Sequence, residues 1–271
     1  MNILVFIKSM PYAAPAIRFG GLIAQLTAGS ITLLMSSRDE SLREKADEEL
    51  AQAAALLPDL EVETHISRSK AIEGIWDEIK KGGYDLVVMR ARRAIRFRQR
   101  LWKKLGRQVA VESPISVLVV KDSEKPPELR RLLICTGGKD PGNLVIEKGA
   151  DLARASGAAV TVLHVTNPVP SMYTGMDEIE ETMTELLQTD TPVARHLRKA
   201  AAYLAERDVE ASLEIRQGDV TEEILAEANT GGYDLILIGA ARGESRLIEW
   251  FMGDVTRSLV NHASCAVLVV R

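Results

Sequence analysis

The chain has 271 residues, of which 46% are hydrophobic and 27% charged, with a formal net charge of −4 at pH 7. This composition is typical of a soluble globular protein, and no apolar run approaches the roughly 18 residues that a membrane-spanning helix requires. The first eight residues form a strand-like apolar run rather than the stages of a signal peptide, so we expect a cytoplasmic protein. Its two cysteines and four histidines show no metal-ligand spacing, so no metal site is predicted.

An internal repeat organises the chain. Gly-Gly-Tyr-Asp-Leu occurs at residues 82–86 and again at 231–235, and Val-Leu-Val-Val occurs at 117–120 and again at 267–270. A period this long indicates duplicated domains rather than a solenoid. The charged segment 121–128 contains two adjacent prolines, which predict a linker. We therefore expect domains at residues 1–122 and 128–271.

Strand and helix patterns alternate within each copy. In the second copy the predicted elements are, in chain order, strand 131–135, helix 144–156, strand 159–165, helix 192–207, strand 210–216, helix 220–229, strand 235–239, helix 254–262 and strand 266–270. Such alternation implies right-handed crossovers and parallel strands. The predicted fold is α/β: two tandem Rossmann-like, doubly wound domains, each a five-stranded parallel sheet flanked by helices. A ligand would bind beyond the carboxyl ends of the strands.

A glycine pattern follows the fourth strand of the second copy. Gly239 and Gly243 are separated from Gly253 by a loop, and Asp254-Val255-Thr256 comes next. Glycines let a backbone approach phosphate closely, and a helix N-terminus supplies free N–H groups for the anion. With the terminal strand and the duplication, this pattern resembles the universal stress protein family over the full length of both copies.

The resemblance implies a stress-response regulatory protein that binds ATP or AMP in its second domain. The ends of the first and second strands would together hold adenine and ribose, and the glycine loop would hold the phosphates. The implied binding residues are Thr136, Gly137, Gly138, Lys139, Val165, Gly239, Arg242, Gly243, Gly253, Asp254, Val255 and Thr256. Arg242 occupies the second glycine position in one alignment of the loop. Asp254 stands where a hydroxyl is usual, and its charge raises the question of Mg²⁺.

The first copy lacks this pattern. Arg90 and Arg93 replace the two loop glycines, Arg107 replaces the hydroxyl after Gly106, and Lys8 lies at the end of the first strand. No standard ATP site is predicted there.

Residues 90–107 contain nine basic side chains and no acidic one. Three interpretations of this segment remain open. It is a solvated basic helix, or it pairs with the acidic residues 177–181 within the chain or across a dimer, or it binds a polyanion. The low aromatic content disfavours nucleic acid.

Three further alternatives concern the function. Residues 136–140 also resemble the phosphate loop of ATP pyrophosphatases, although Pro141 replaces the expected serine. No catalytic residues are predicted, and the activity expected is at most a weak ATPase. Some family members bind no nucleotide and act as interaction or dimerisation scaffolds.

The resemblance also implies that the two final strands pair antiparallel, which would make a pseudo-dimer within the chain. A homodimer is a further possibility, and no membrane partner is expected.

Overall fold

A computed structural model describes residues 1–90, 100–122, 125–137, 143–166, 187–240 and 246–271. Two compact units are present. The first comprises Met1–Glu128 together with Cys265–Val269 and Arg271, and the second comprises Leu129–Ser264 together with Val270. In the described parts of the chain, no helix is long and apolar enough to cross a membrane.

The first unit alternates strands and helices. Its elements are β1 (Asn2–Ile7), α1 (Ala14–Thr27), β2 (Ser30–Ser36), a 3₁₀ turn (Glu40–Leu42), α2 (Arg43–Ala54), β3 (Val62–Ser67), α3 (Ala71–Lys81), β4 (Leu86–Arg90), α4 (Arg100–Glu112) and β5 (Ser116–Val120). The strands lie in the order β3-β2-β1-β4-β5, and all of these pairs are parallel. Because β2 and β4 flank β1 on opposite sides, the strand order reverses between β1 and β4.

The second unit repeats this plan. Its elements are β6 (Arg131–Thr136), α5 (Asn143–Ser156), β7 (Ala159–Thr166), α6 (Pro192–Ala205), β8 (Ala211–Gln217), α7 (Val220–Thr230), β9 (Leu235–Gly239), α8 (Arg246–His262) and β10 (Ala266–Val270). The parallel order β9-β6-β7-β8 places the equivalent reversal between β6 and β9. The predicted α/β fold with mostly parallel strands flanked by helices is therefore confirmed.

Strand β10 lies with the first unit. It pairs antiparallel with β5, with Val267 opposite Val119 and Val269 opposite Val117. The Arg271 guanidinium then donates to the carbonyl oxygens of Ala110 and Val111 at the end of α4, at 2.8 and 2.6 Å. The antiparallel pairing expected for the two final strands is thus present within the chain.

The central strands are buried on both faces, which explains their continuous apolar runs. Residues 3–7 of β1 and 132–136 of β6 are all buried. Local signals fix the ends of several helices. Asp219 accepts hydrogen bonds from the N–H groups of Thr221 and Glu222 at the start of α7, and Thr191 accepts one from Ala194 at the start of α6.

The final helix departs from the sequence expectation. It was expected to begin near Asp254, but α8 begins at Arg246 and runs through Gly253 to His262. Residues 246–252 are mostly good helix formers, and a single internal glycine costs a helix only about 1 kcal/mol. The N–H groups of residues 253–256 therefore lie inside the helix, where they bond to carbonyls four residues earlier.

Candidate functional site

The candidate site of the second unit, which we call its crevice, is the position at the carboxyl ends of β6 and β9 where the strand order reverses. In an open parallel sheet this position is the usual ligand site. Gly137 follows β6 and Gly239 ends β9, which places the two glycines at the ends of neighbouring strands. Among the described residues, nothing lies within 4 Å of the position that a Cβ atom would take at either glycine. The described residues therefore leave the backbone unobstructed at both positions.

Thr136 does not present its side chain to this crevice. It is 6% exposed, and its hydroxyl lies 2.7 Å from Nε2 of His196 on α6. Nδ1 of His164 donates to the Thr136 carbonyl oxygen at 2.8 Å. Both histidines are buried. Two buried imidazoles thus hold the end of β6, and the predicted role of Thr136 in binding is limited to its backbone.

The residues predicted to hold phosphate are arranged differently from the expectation. Val255 and Thr256 are buried within α8, and Asp254 forms an ion pair with Arg257 at 2.8 Å. The phosphate-binding helix start that the sequence predicted at Gly253 is absent, because the helix is already two turns long at that point. The Arg257 guanidinium offsets the negative charge of Asp254, which was the reason for considering Mg²⁺ from the sequence.

The remaining predicted residues divide into two groups. Val165 lies near the end of β7, opposite Arg216 of β8, and is partly exposed. Gly138, Lys139, Arg242 and Gly243 lie outside the described residues, as do Asp140 and the acidic segment 177–181. The structure therefore brings together Thr136, Gly137 and Gly239. Sequence reasoning did not foresee the part played by His196, whose only signal is its place on the buried face of a helix.

The first unit carries a cavity at the equivalent position. Its volume is about 150 Å³, and it lies at the ends of β1 and β4. The residues that line it include Phe6, Lys8, Ser9, Tyr12, Met89 and Arg90. In the alignment of the two repeats, Lys8 corresponds to Gly137 and Arg90 to Gly239. The two positions that carry glycine in the second unit thus carry lysine and arginine in the first.

Arg90 is held in place by two neighbours. Its Nε and Nη2 atoms each lie 2.5 Å from Oδ1 of Asp122, and its Nη1 donates to the Tyr12 carbonyl oxygen. The guanidinium also lies 5.8 Å from the centre of the Tyr12 ring. Residues 91–99 and the side chains of 100–104 lie outside the described residues, so the structure describes only Arg90, Leu105, Gly106 and Arg107 of the predicted basic segment.

Each unit also contains a buried Glu–Tyr pair away from the crevice. In the first unit Glu78 accepts hydrogen bonds from Tyr84, Lys81 and the ring of His65. Burial raises the pKa of the Glu78 carboxyl, but these hydrogen bonds outweigh it, and the pKa lies below the usual 4.5.

In the second unit Tyr233 donates to Glu227, which also pairs with Arg216. Burial, reinforced by the hydrogen bond to Glu227, raises the pKa of Tyr233 to about 12. The sequence contains this pair in both copies, six residues apart, yet its pattern gives no sign of a shared contact. These groups hold the fold and lie outside the crevice residues.

Two tandem, doubly wound α/β units, each with a reversal of strand order beside its first strand, define a Rossmann-like class of protein. A model of the "Universal stress protein family" matches residues 24–121 and 128–271. The chain belongs to the universal stress protein family. This confirms the resemblance stated from the sequence.

Individual relatives agree with the duplication. The chain is 27% identical over 146 residues to the universal stress protein YxiE of Bacillus subtilis, a match that covers 52% of this chain and 98% of that protein. It is 28% identical over 142 residues to a universal stress protein of Methanothermobacter thermautotrophicus, covering 52% and 95%. Each relative therefore corresponds to one half of the chain.

A solved structure matches the whole molecule. The crystal structure of a universal stress protein from Archaeoglobus fulgidus has a TM-score of 0.74 at 16% identity, and the match covers 100% of this chain and 96% of that one. At this identity the likeness shows the fold alone.

Proposed function

We propose that this universal stress protein is a cytoplasmic stress-response regulator that binds an adenine nucleotide, ATP or AMP, in the crevice of its second unit. The observation that carries the proposal is the pair of open glycine positions, Gly137 and Gly239, at the strand reversal between β6 and β9. A side chain at either position would occupy the space into which a ligand must come to reach the backbone.

The ligand would meet backbone groups at the ends of β6 and β7, near Thr136, Gly137 and Val165. The loop residues Gly138, Lys139, Arg242 and Gly243 are proposed to complete the site around the phosphates. Gly253 and Asp254 would face it only from inside α8, without free helix N–H groups. The Asp254–Arg257 ion pair lowers the repulsion that Asp254 would exert on a phosphate, so the proposal does not require Mg²⁺.

The proposed role is binding rather than catalysis. Among the described residues, the polar groups at the end of β6, Thr136 and the two histidines, are engaged with one another in the core. Any hydrolysis of ATP would be slow, and the nucleotide would act by shifting the contacts that the protein makes with partners or with a second copy.

The test is calorimetric titration with ATP and with AMP, each with and without Mg²⁺. We expect saturable binding by the wild type, and affinity at least about tenfold lower in Gly239→Val and in Gly137→Val, because the new side chain blocks approach to the backbone. Ala211→Val, at an exposed position on β8, is the matched control and should bind as the wild type does. Absence of saturable heat with either nucleotide would overturn the proposal and favour the scaffold alternative.

A further inference from the structure

We propose that the cavity of the first unit binds a small uncharged aromatic molecule, a single ring that carries a hydroxyl group, as a phenol does. The proposal concerns the first unit alone, and it is independent of nucleotide binding in the second unit.

The two cationic side chains at this cavity already have partners. The Arg90 guanidinium pairs with Asp122 through its Nε and Nη2 atoms, and its Nη1 donates to the Tyr12 carbonyl oxygen. Lys8 is likewise engaged in an interaction of its own. An ionic ligand would have to compete with these contacts, and a charge that is left without a partner beside buried apolar groups is costly. The described lining therefore favours an uncharged ligand.

Buried apolar side chains form the walls of the cavity. Phe6, Ala13 and Met89 are 6%, 5% and 2% exposed, and Leu105 of α4 adds a further apolar side chain to the lining. The removal of apolar surface from water is the dominant favourable contribution when an uncharged molecule enters such a space. The walls therefore suit a ligand that is apolar over most of its surface.

Tyr12 adds an exposed aromatic ring to the lining. At 54%, its exposed fraction is the largest of the large apolar side chains in the part of the chain that the structure describes. The ring centre lies 5.8 Å from the Arg90 guanidinium carbon, yet more than half of the residue remains in contact with water. A ligand that lies against this ring would remove apolar surface from water without disturbing the core.

The lining suits an aromatic ring in particular. Aromatic side chains, thioether sulfur and guanidinium groups all make favourable contacts with such a ring. Phe6 and Tyr12 supply the first, Met89 the second and Arg90 the third. Ser9 contributes a hydroxyl, which is a suitable hydrogen-bond partner for a hydroxyl on the ligand. A phenol combines the ring and the hydroxyl in one small molecule.

The size of the cavity matches one ring. Its volume is about 150 Å³. An apolar cavity of about 150 Å³ in another protein holds benzene, whereas pockets for larger ligands usually measure about 300–1,000 Å³. The second unit carries Gly137 and Gly239 where the first carries Lys8 and Arg90, so the same lining is not repeated there.

The test is a titration of the full chain with phenol at pH 7, followed by saturation-transfer NMR, with cyclohexanol as the saturated alcohol of matched size. Phenol is uncharged under these conditions, because a phenolic pKa is about 10. We expect phenol to bind saturably and cyclohexanol to bind about fivefold more weakly or less, since it lacks the aromatic ring. Added salt should leave the affinity for phenol unchanged, because screening acts on ionic contacts.

Two substitutions of Tyr12 provide the main evidence. Tyr12→Ala should weaken phenol binding about fivefold or more, because it removes the ring against which the ligand lies. Tyr12→Phe keeps the ring and should bind phenol as the wild type does. Neither should disturb the core, because the residue is exposed. Ala13→Leu should abolish binding, because the longer side chain fills the buried wall of the cavity. Thermal unfolding of each variant establishes that it is folded.

Two controls show whether the phenol lies in this cavity. Tyr203→Ala removes a ring that stacks on Arg207 in the second unit, with 3.5 Å between the ring centre and the guanidinium carbon, and it should leave phenol binding unchanged. Gly239→Val should also leave it unchanged, since that position belongs to the crevice of the second unit.

Absence of saturable phenol binding, or equal affinities for phenol and cyclohexanol, would overturn the proposal. Binding that is unchanged in Tyr12→Ala, or that Gly239→Val abolishes, would overturn it too, because the ring would then lie elsewhere.

Discussion

Tyr233 donates a hydrogen bond of 2.6 Å to the buried carboxylate of Glu227. Tyr84 makes the same contact with Glu78 in the first unit, at 3.0 Å. The duplication has thus kept, in both halves, a phenol that donates to a buried carboxylate. The other partners differ, since Lys81 and His65 contact Glu78 whereas Arg216 pairs with Glu227.

The first prediction concerns Tyr233 at alkaline pH. Its pKa is raised from 10.0 to about 12, so its contribution to stability is complete below pH 10 and is lost as the pH rises towards 12. A shift of this size corresponds to about 2–3 kcal/mol. Urea unfolding between pH 9 and 11.5 should show the free energy of unfolding falling more steeply in the wild type than in Tyr233→Phe. Tyr203→Phe, which removes a hydroxyl from a ring stacked on Arg207, is the matched control.

The second prediction concerns Glu78 at acid pH. Because its pKa is lowered below 4.5, the carboxylate contributes fully above that value, and the contribution is lost as the pH falls through the lowered value. Glu78→Gln should reduce stability at pH 7 by about 1–3 kcal/mol and flatten its dependence on pH below 4.5. Denaturant unfolding from pH 3 to 7 measures both effects. Glu73→Gln, an exposed partner of Lys70, is the control, and equal acid slopes in the wild type and Glu78→Gln would contradict the assignment.

The third prediction uses two equivalent helix ends. Ala28 follows α1 with φ of 47°, and its counterpart Gly157 follows α5 with φ of 71°. A left-handed conformation costs alanine about 1 kcal/mol and glycine little. Ala28→Gly should therefore be neutral to stabilising, because relief of the left-handed strain offsets the greater flexibility of glycine in the unfolded chain, whereas Gly157→Ala should destabilise by about 1 kcal/mol. Thermal unfolding midpoints compare the two, and a loss in Ala28→Gly equal to that in Gly157→Ala would refute the argument.

The fourth prediction concerns Arg271. Its guanidinium donates to two carbonyl oxygens in the last turn of α4, and its N–H donates to the Ser116 hydroxyl at 3.1 Å. A cation at a helix C-terminus satisfies carbonyls that have no partner within the helix. Arg271→Met should lower the free energy of unfolding by about 1–3 kcal/mol. Arg195→Met, which removes an exposed arginine, should change it by less than about 0.5 kcal/mol, and similar losses in both variants would count against this role.

Sequence patterns predicted most of the fold because the apolar strands are buried on both faces and the repeat aligns them twice. The run from Leu235 to Gly239 has no competing interpretation once its counterpart at residues 86–90 is recognised. The start of α8 was missed for a physical reason. Gly253 resembles a helix boundary in sequence, but the helix formers that precede it outweigh the modest cost of an internal glycine.

The candidate sites were less predictable than the fold. Thr136 and His196 are sixty residues apart, and no local pattern reports that they touch. The contact of Arg90 with Asp122 is equally non-local. In the sequence Arg90 is only a missing glycine of the motif, whereas in the structure it lines a cavity. The sequence predicted candidate positions at the strand ends, whereas the direction of each side chain depended on contacts between distant segments.

The antiparallel pairing of β5 with β10 has a consequence for biosynthesis. Residues 129–264 of the second unit are translated between these two strands, so β5 emerges from the ribosome before its antiparallel partner has been made. Loop-closure entropy grows only slowly with length, so the eventual pairing is not costly at equilibrium, but it is delayed. During that delay β5 offers bare N–H and C=O groups to any neighbouring nascent chain. The β5 edge is therefore more exposed to misassembly before β10 is made than after it.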